Sequence, residues 1–481
     1  MTSLLQGSHK PAAALPPMPG AALEIIGLFS AIVLGAIAFL LGWLTPNAAA
    51  ALTGCFLCIL LTLSWMHLNQ GRHPYFLFLG VLTLVQGGKL LAYCLGAEPD
   101  PFRIGNVVPF PFDVSRNVGG IALLCVALSA VCVYAPCRWN YRRVAPPDDQ
   151  RVRQYLPYLY LLFYGSLPFQ IVKNYIYYKV AKDNGGYLYF FANHAAFASA
   201  VPFIVRLAAL ITFPVFVAIF VFERRRKYVY LVTCLYLASS VLVLLLGSRM
   251  GTFGLLLTLW YVAGVKSGKK SRLARVALFG VVLLIGADVF QTLREDPDSL
   301  SSHTFSPIDL VRLQGNSFEV TEVAVKARSI FSPYGTSYLW NELQDAFVPR
   351  DATDYARGRM LAYDVTVFLS PAGFSQGQGT AGSYIAEAYI IGGIIGVGLF
   401  SLLIGAGLHA VYRLSGNIVL LFVVAMILPD IIAMPRGMML DWMSVLLRVA
   451  LYILVLACGW YVYRLFVWLK GAPREVVATA S

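Results

Sequence analysis

The sequence predicts an all-α fold, a polytopic membrane helix bundle of about twelve transmembrane helices with a partly helical external loop domain. Three observations predict it. Hydrophobic residues fill 58% of the 481 positions and charged residues only 13%, whereas soluble domains run at about a quarter charged. Apolar runs of about 20 residues, long enough to cross hydrocarbon, recur along the chain. The net charge of +13 gathers in short linkers on one side of the alternating spans, as Lys and Arg do in cytoplasmic loops. Together these exclude a secreted domain, a disordered tail and a conventional nucleic-acid binder.

The spans read 21–44, 47–66, 75–95, 117–135, 155–178, 200–222, 228–246, 251–265, 274–291, 382–411, 416–434 and 445–468. Residues 1–20, rich in Pro and Ala, precede a first helix that reads as retained and not as a cleaved signal. Gly165 and Pro168 are expected to interrupt the fifth span. The eighth is short. Seven of the eight cysteines lie in apolar runs, where a thiol behaves as a small hydrophobe. Cys55 and Cys58 form a lone CxxC without the other two ligands of a zinc site.

Basic linkers follow the fourth span (Arg138, Arg142, Arg143, Arg151, Arg153), the sixth (Arg224, Arg225, Arg226, Lys227) and the eighth (Lys266, Lys269, Lys270, Arg272, Arg275). All three fall on one side, which sets that side and both termini as cytoplasmic. The chain then divides into 1–291 with nine spans, a large outer loop at 292–381, and 382–481 with three spans and a tail. The loop holds seven basic and eleven acidic residues, and it is too long for a connector. Ile308, Val311, Leu313, Phe318, Val323 and Ile330 suggest an amphipathic helical face within 308–331. A solvated cap and a lid over a site both fit this loop.

Eight cations lie within spans or at their outer ends: Lys89, Lys173, Lys179, Lys182, Arg206, Arg249, Arg436 and Arg448. Charges at that depth face a cavity or a partner, or their long stems lift the head group to the interface. A convergent set suits a lipid-linked diphosphate, which Arg clamps through paired hydrogen bonds. Gly247-Ser248-Arg249-Met250-Gly251 lets a tight turn carry a guanidinium. Met434-Pro435-Arg436-Gly437-Met438-Met439-Leu440-Asp441 opens the twelfth span, where Asp441 and Arg448 share one helix side. Glu387 sits a turn into an apolar helix, and an ion pair with an arginine or work as a general base would each explain it.

These residues resemble the Wzy-type polymerases of bacterial O-antigen, enterobacterial common antigen and exopolysaccharide assembly. The resemblance rests on Gly247-Ser248-Arg249, a short span and large outer loop, the helix Gly382-Ser383-Tyr384-Ile385-Ala386-Glu387-Ala388-Tyr389 with its trailing glycines, and the set Arg436, Gly437, Asp441, Arg448. It covers about residues 240–450; the first half matches only as a helix array. Such a resemblance implies a GT-C-like integral glycosyltransferase of the bacterial inner membrane. Glycan on undecaprenyl diphosphate would pass to an undecaprenyl-diphosphate-linked repeat unit at the periplasmic face. The expected partners are these lipid-linked oligosaccharides and polysaccharides, membrane lipids, a chain-length regulator and other assembly proteins, and no nucleic acid.

Arg249 and Arg436 are then expected at the diphosphate, with Arg448 and Lys89 secondary, and Arg206 and Lys173 as further substrate-binding candidates. Glu387 is the preferred base, with Asp441 and the loop acids as the other candidate carboxylates. Arg350, Arg357 and Arg359 would reach over from the loop, whose Tyr334, Tyr338, Trp340, Glu342 and Asp345 are candidates for sugar contacts. No cofactor or metal is expected: the six histidines are scattered, and Lys266-Ser267-Gly268-Lys269-Lys270 lacks the nucleotide-loop order. An O-antigen ligase would use the same donor, with His303 its one candidate loop histidine. A flippase would call for inverted repeats and a midplane polar path.

Overall fold

The computed structural model of the chain describes chiefly residues 73–95, 116–139, 152–184, 201–246, 249–268, 306–347, 356–375 and 382–452, with shorter pieces elsewhere. Most of the first, second and ninth predicted spans and the end of the twelfth lie outside the described residues. The described part is helical apart from one two-residue antiparallel pair, β1 (Arg103–Ile104) with β2 (Phe112–Asp113), in which Arg103 faces Asp113.

Helices α1 (Tyr75–Cys94), α2 (Arg116–Trp139), α3 (Leu156–Asp183), α4 (Phe203–Phe222), α5 (Arg226–Leu245) and α6 (Arg249–Ser267) occupy the third to eighth predicted spans. Among the described residues α1, α2, α4, α5 and the later α13 (Tyr384–Leu414) are long and apolar enough to cross a membrane. A shorter apolar helix, α14 (Ile418–Ala433), follows α13. Leu161 and Tyr158 of α3, Ile204 of α4, Tyr230 of α5, and Ile395 and Leu403 of α13 stand exposed; apolar side chains facing outward in bulk belong against lipid.

Two local expectations change. Gly165 and Pro168 do not interrupt α3, which runs unbroken for 28 residues. Ser166 Oγ donates to the Phe163 carbonyl just before the proline, and hydroxyls of this kind help satisfy backbone that a proline leaves bare. The second change is in 308–331. Its apolar pattern predicts one helical face, but the chain folds as α7 (Pro307–Gln314), α8 (Asn316–Lys326) and α9 (Arg328–Phe331), broken at Gly315 and Ala327. All nine residues from Ser317 to Val325 are buried. Helix α8 is therefore not a solvated cap: it packs among α1, α2 and α13.

Glycines set how closely these helices approach. A Cβ on Gly88 of α1 would strike the Val311 carbonyl oxygen, and one on Gly315 would strike the Lys89 amide. The most extensive helix contact joins α2 to α13, where Gly405 leaves no room for a Cβ against the Val133 carbonyl oxygen. Small residues of this kind permit backbone-to-backbone packing where apolar burial offers little gain over lipid.

The basic segments meet at one end of the bundle. Lys266 Nζ donates to the Phe220 carbonyl at 2.6 Å and the Glu223 carbonyl at 2.7 Å, closing the end of α4. The Glu223 carboxylate accepts from Arg225 Nη2 at 2.9 Å and from Tyr160 at 2.8 Å. Burial opposes its charge, but these bonds prevail and hold Glu223 down to about 2. Gly268 lies against Pro146, and Gly416 against Val144. Linkers that the charge pattern groups on one side are thus neighbours in space.

The α2–α13 contact gives a test. Gly405→Leu should lower the detergent melting temperature through an overpacking cost of about 1–3 kcal/mol. Gly407→Leu, with nothing within 4 Å of its Cβ position, should leave it nearly unchanged.

Candidate functional site

At the opposite end of the bundle, two segments that the sequence offers as separate motifs come together. Ser383 caps α13, its Oγ accepting from the Ala386 amide at 3.3 Å. A Cβ on Gly382 would sit 3.0 Å from the Gly437 carbonyl carbon, so the start of α13 lies directly on the 434–440 turn. Gln86 of α1 fastens both, donating to Ser383 Oγ at 3.0 Å and to the Pro435 carbonyl at 2.8 Å. Thr321 of α8 donates to Gln86 Oε1 at 3.2 Å. Every member of this polar knot is wholly or mainly buried, so each lost bond would leave an unsatisfied group away from water.

The turn then holds three carboxyl groups with three consecutive amides. Met438 donates to Asp441 Oδ2 at 2.9 Å, Met439 to Glu387 Oε2 at 2.8 Å, and Leu440 to Glu342 Oε2 at 3.0 Å. Glu342 comes from α10 (Gly335–Phe347). Glu387 is 1% exposed and Glu342 is 5% exposed. No hydrogen-bond donor among the described residues reaches Oε1 of either. Burial, and then the nearby Asp441 charge, pushes Glu342 up to about 8, against the pull of its hydrogen bond from the Leu440 amide.

Glycine opens α13 just beyond. Gly393 adopts φ +62° and breaks the helix after two turns, in the left-handed region that disfavours other residues. Arg328 of α9 fills the break, with its guanidinium 5.4 Å from the Tyr389 ring centroid and its Nη2 3.4 Å from where a Gly393 Cβ would stand. Helices α11 (Leu361–Leu369) and α12 (Pro371–Ser375) complete the segment before α13. Asp364 of α11 accepts from the Tyr338 hydroxyl at 2.7 Å and from the Gly358 amide at 2.8 Å. Those bonds fix the 356–360 turn against α10, where Arg359 meets Asp345 at 3.4 Å and Arg357 lies over Tyr334.

Of the residues singled out by sequence, Glu387, Asp441 and Arg436 share this site. Arg436 is half-buried and donates from Nη1 to Gln314 Oε1, a neutral partner, at 3.1 Å. Lys89 lies at the same end, ion-paired with Glu319 of α8. Asp441 and Arg448 do not bond to each other. Arg448 is exposed and donates to the Ser444 carbonyl and Oγ, both at 3.1 Å. Lys173 and Arg206 belong to α3 and α4, away from the carboxyls, where Lys173 Nζ is 5.8 Å from the Tyr177 ring centroid. Arg249 begins α6, but its side chain, like all of Arg350 and His303, lies outside the described residues.

The sequence offers Glu342 both as a sugar contact and, among the loop acids, as a base, and it gives no role to Gln86, Gln314, Glu319, Thr321 or Arg328. A signal for Glu342 was present: Tyr338, Glu342 and Asp345 follow the i, i+4, i+7 spacing of one helix face, so an acid shares the face of a buried tyrosine. The others carry no local mark, because their partners are more than sixty residues away.

The Lys89–Glu319 pair is about nine-tenths buried, and removing one member of such a pair leaves the other charged and desolvated. Lys89→Ala should cost about 3 kcal/mol of stability, and adding Glu319→Ala should restore part of it. A double-mutant cycle read by thermal unfolding in detergent checks this, and additive losses would count against the pair.

Comparison with known proteins covers almost the whole chain. The profile of the family described as O-antigen polysaccharide polymerase Wzy matches residues 25–467. No curated protein and no solved structure matches. The match takes in every helix named above, together with Glu387, Arg436 and Asp441. The chain belongs to the O-antigen polysaccharide polymerase Wzy family.

Proposed function

We propose that this protein is a bacterial inner-membrane glycosyltransferase that transfers glycan from undecaprenyl diphosphate to an undecaprenyl-diphosphate-linked repeat unit at the periplasmic face. The observation that carries this reading is the meeting of Glu342, Glu387, Asp441 and Arg436 on one turn at the end of the bundle away from the basic linkers. Glycosyl transfer to a hydroxyl needs a proton acceptor beside a cation that receives the leaving diphosphate. The site supplies both kinds of group.

Glu387 takes the proton of the acceptor hydroxyl as its oxygen bonds to the anomeric carbon. The bond from that carbon to the diphosphate oxygen breaks, and its electron pair leaves with the diphosphate. Arg436, bonded to neutral Gln314 and paired with no carboxylate among the described residues, keeps its charge for that anion. Arg249 remains the second proposed clamp. Lys89 is already neutralised by Glu319, so its part is to hold α8 in place. Arg448 and Arg328 stand exposed, where a lipid-linked anion can reach them. Arg206 and Lys173 would meet the lipid-linked substrate farther along, beside Tyr177.

Deleting the gene should reduce surface polymer to single repeats. Wild type should restore the length ladder; Glu387→Gln and Arg436→Ala, present at normal membrane levels, should not. Normal ladders from both variants would refute the assignment, and loss of all attached glycan in the deletion would indicate a ligase or flippase. The side is tested separately. Ser375 is exposed, so Ser375→Cys should react with an impermeant thiol reagent from the periplasm, and labelling only after lysis would reverse the topology.

A further inference from the structure

We infer that Glu342 and Glu387 act as one carboxyl pair sharing a single proton, with Glu342 the positioning residue that keeps Glu387 competent to accept the hydroxyl proton. This rests on the reading of Glu387 as proton acceptor. The geometry comes first. Neighbouring amides, at Met439 and Leu440, each take one oxygen of one carboxyl, so the two groups are held side by side. The other oxygen of each is buried and has no hydrogen-bond partner among the described residues. One proton between them satisfies both orphaned oxygens.

The surroundings leave no alternative way to carry two charges. Facing the pair is Asp441 on the turn. Asp345 lies one helical turn along α10 and is matched by Arg359, while Asp364 on α11 is engaged by Tyr338 and Gly358. Among the described residues no ammonium or guanidinium donates to Glu342 or Glu387. Like charges this close cannot both ionise in a dry site, the condition under which two carboxyls share one proton.

The singly protonated pair carries one negative charge and can take one more proton. During transfer the acceptor oxygen bonds to the anomeric carbon, the electron pair of the broken bond leaves on the diphosphate, and the hydroxyl proton enters the pair. Both carboxyls are then protonated, and release of one proton to water resets them. The two members sit on different elements, α10 and α13, so the pair exists only while α10 is docked on the turn. Docking of the segment and readiness of the base are therefore one event.

The test is the initial rate of polymerisation against pH, with purified full-length protein in proteoliposomes and the lipid-linked repeat unit as substrate. Wild type should gain about tenfold between pH about 7 and pH about 9 as the pair gives up the first of its two protons and the singly protonated form fills, the rise centred where Glu342 titrates, about 8. Glu342→Gln keeps a donor for Glu387 and removes the titration, so its rate should stay level across that interval, within about twofold. A Glu342→Gln protein that follows the wild-type rise, or that is inactive at every pH at normal membrane levels, overturns the pair. Wild type gives a second measure independent of any variant. Its infrared difference spectrum should lose a carboxylic-acid carbonyl band through the same interval, and absence of that loss also overturns the proposal. Glu387→Gln separates the two readings: if it polymerises normally, Glu387 is not the acceptor. If it is inactive while Glu342→Gln keeps the alkaline rise, the acceptor stands and the pair does not.

Discussion

Three successive backbone N–H groups, at Met438, Met439 and Leu440, each bind a carboxyl from a different stretch of chain or turn position. Acids so well buried need donors, because water cannot reach them. The 434–441 turn supplies the donors, and in doing so it joins α10, α13 and the helical run that begins at Asp441. Placement of the other groups follows from that junction. Arg436 must project from the same turn, and the start of α13 must lie flat against it, which the facing glycines at 382 and 437 allow.

The second constraint is burial of a polar helix. Helix α8 reads Asn316-Ser317-Phe318-Glu319-Val320-Thr321-Glu322-Val323-Ala324-Val325-Lys326, a sequence that would sit comfortably on a surface. It is instead enclosed by α1, α2 and α13. The cost of that enclosure is offset by specific partners: Glu319 meets Lys89, and Thr321 meets Gln86 and Ser383. A cation in α1 that looks anomalous at membrane depth is thus explained by an acid from a hydrophilic segment. The fit is tight enough that Gly88 and Gly315 cannot carry side chains.

The two ends of the bundle handle charge differently. At the end with the basic linkers, ions close helix termini: Lys266 caps α4, and Glu223 ties Arg225 to Tyr160. These contacts are local and use opposite charges in surplus of cations. At the other end, acids outnumber the cations that touch them, and backbone amides do the balancing.

The sequence by itself determined the helical class, the helices at the third to eighth predicted segments, and the gathering of the basic linkers at one end of the bundle. Hydrophobic length and charge asymmetry act along the chain, one segment at a time, and can be read that way. It also marked Glu387, Arg436 and Asp441, because an ion in an apolar helix or beside glycines is visible locally. The tertiary structure alone decided who meets whom. Asp441 takes an amide and not Arg448, 308–331 splits at Gly315 so that α8 can enter the bundle, and Glu342 and Glu387, 45 residues apart, meet adjacent amides of one turn. Each of these depends on pairing across 45 to several hundred residues or on which of two donors lies nearer in space. Periodicity and composition hold no information about either, whereas burial does, since it forces every polar group to find a partner.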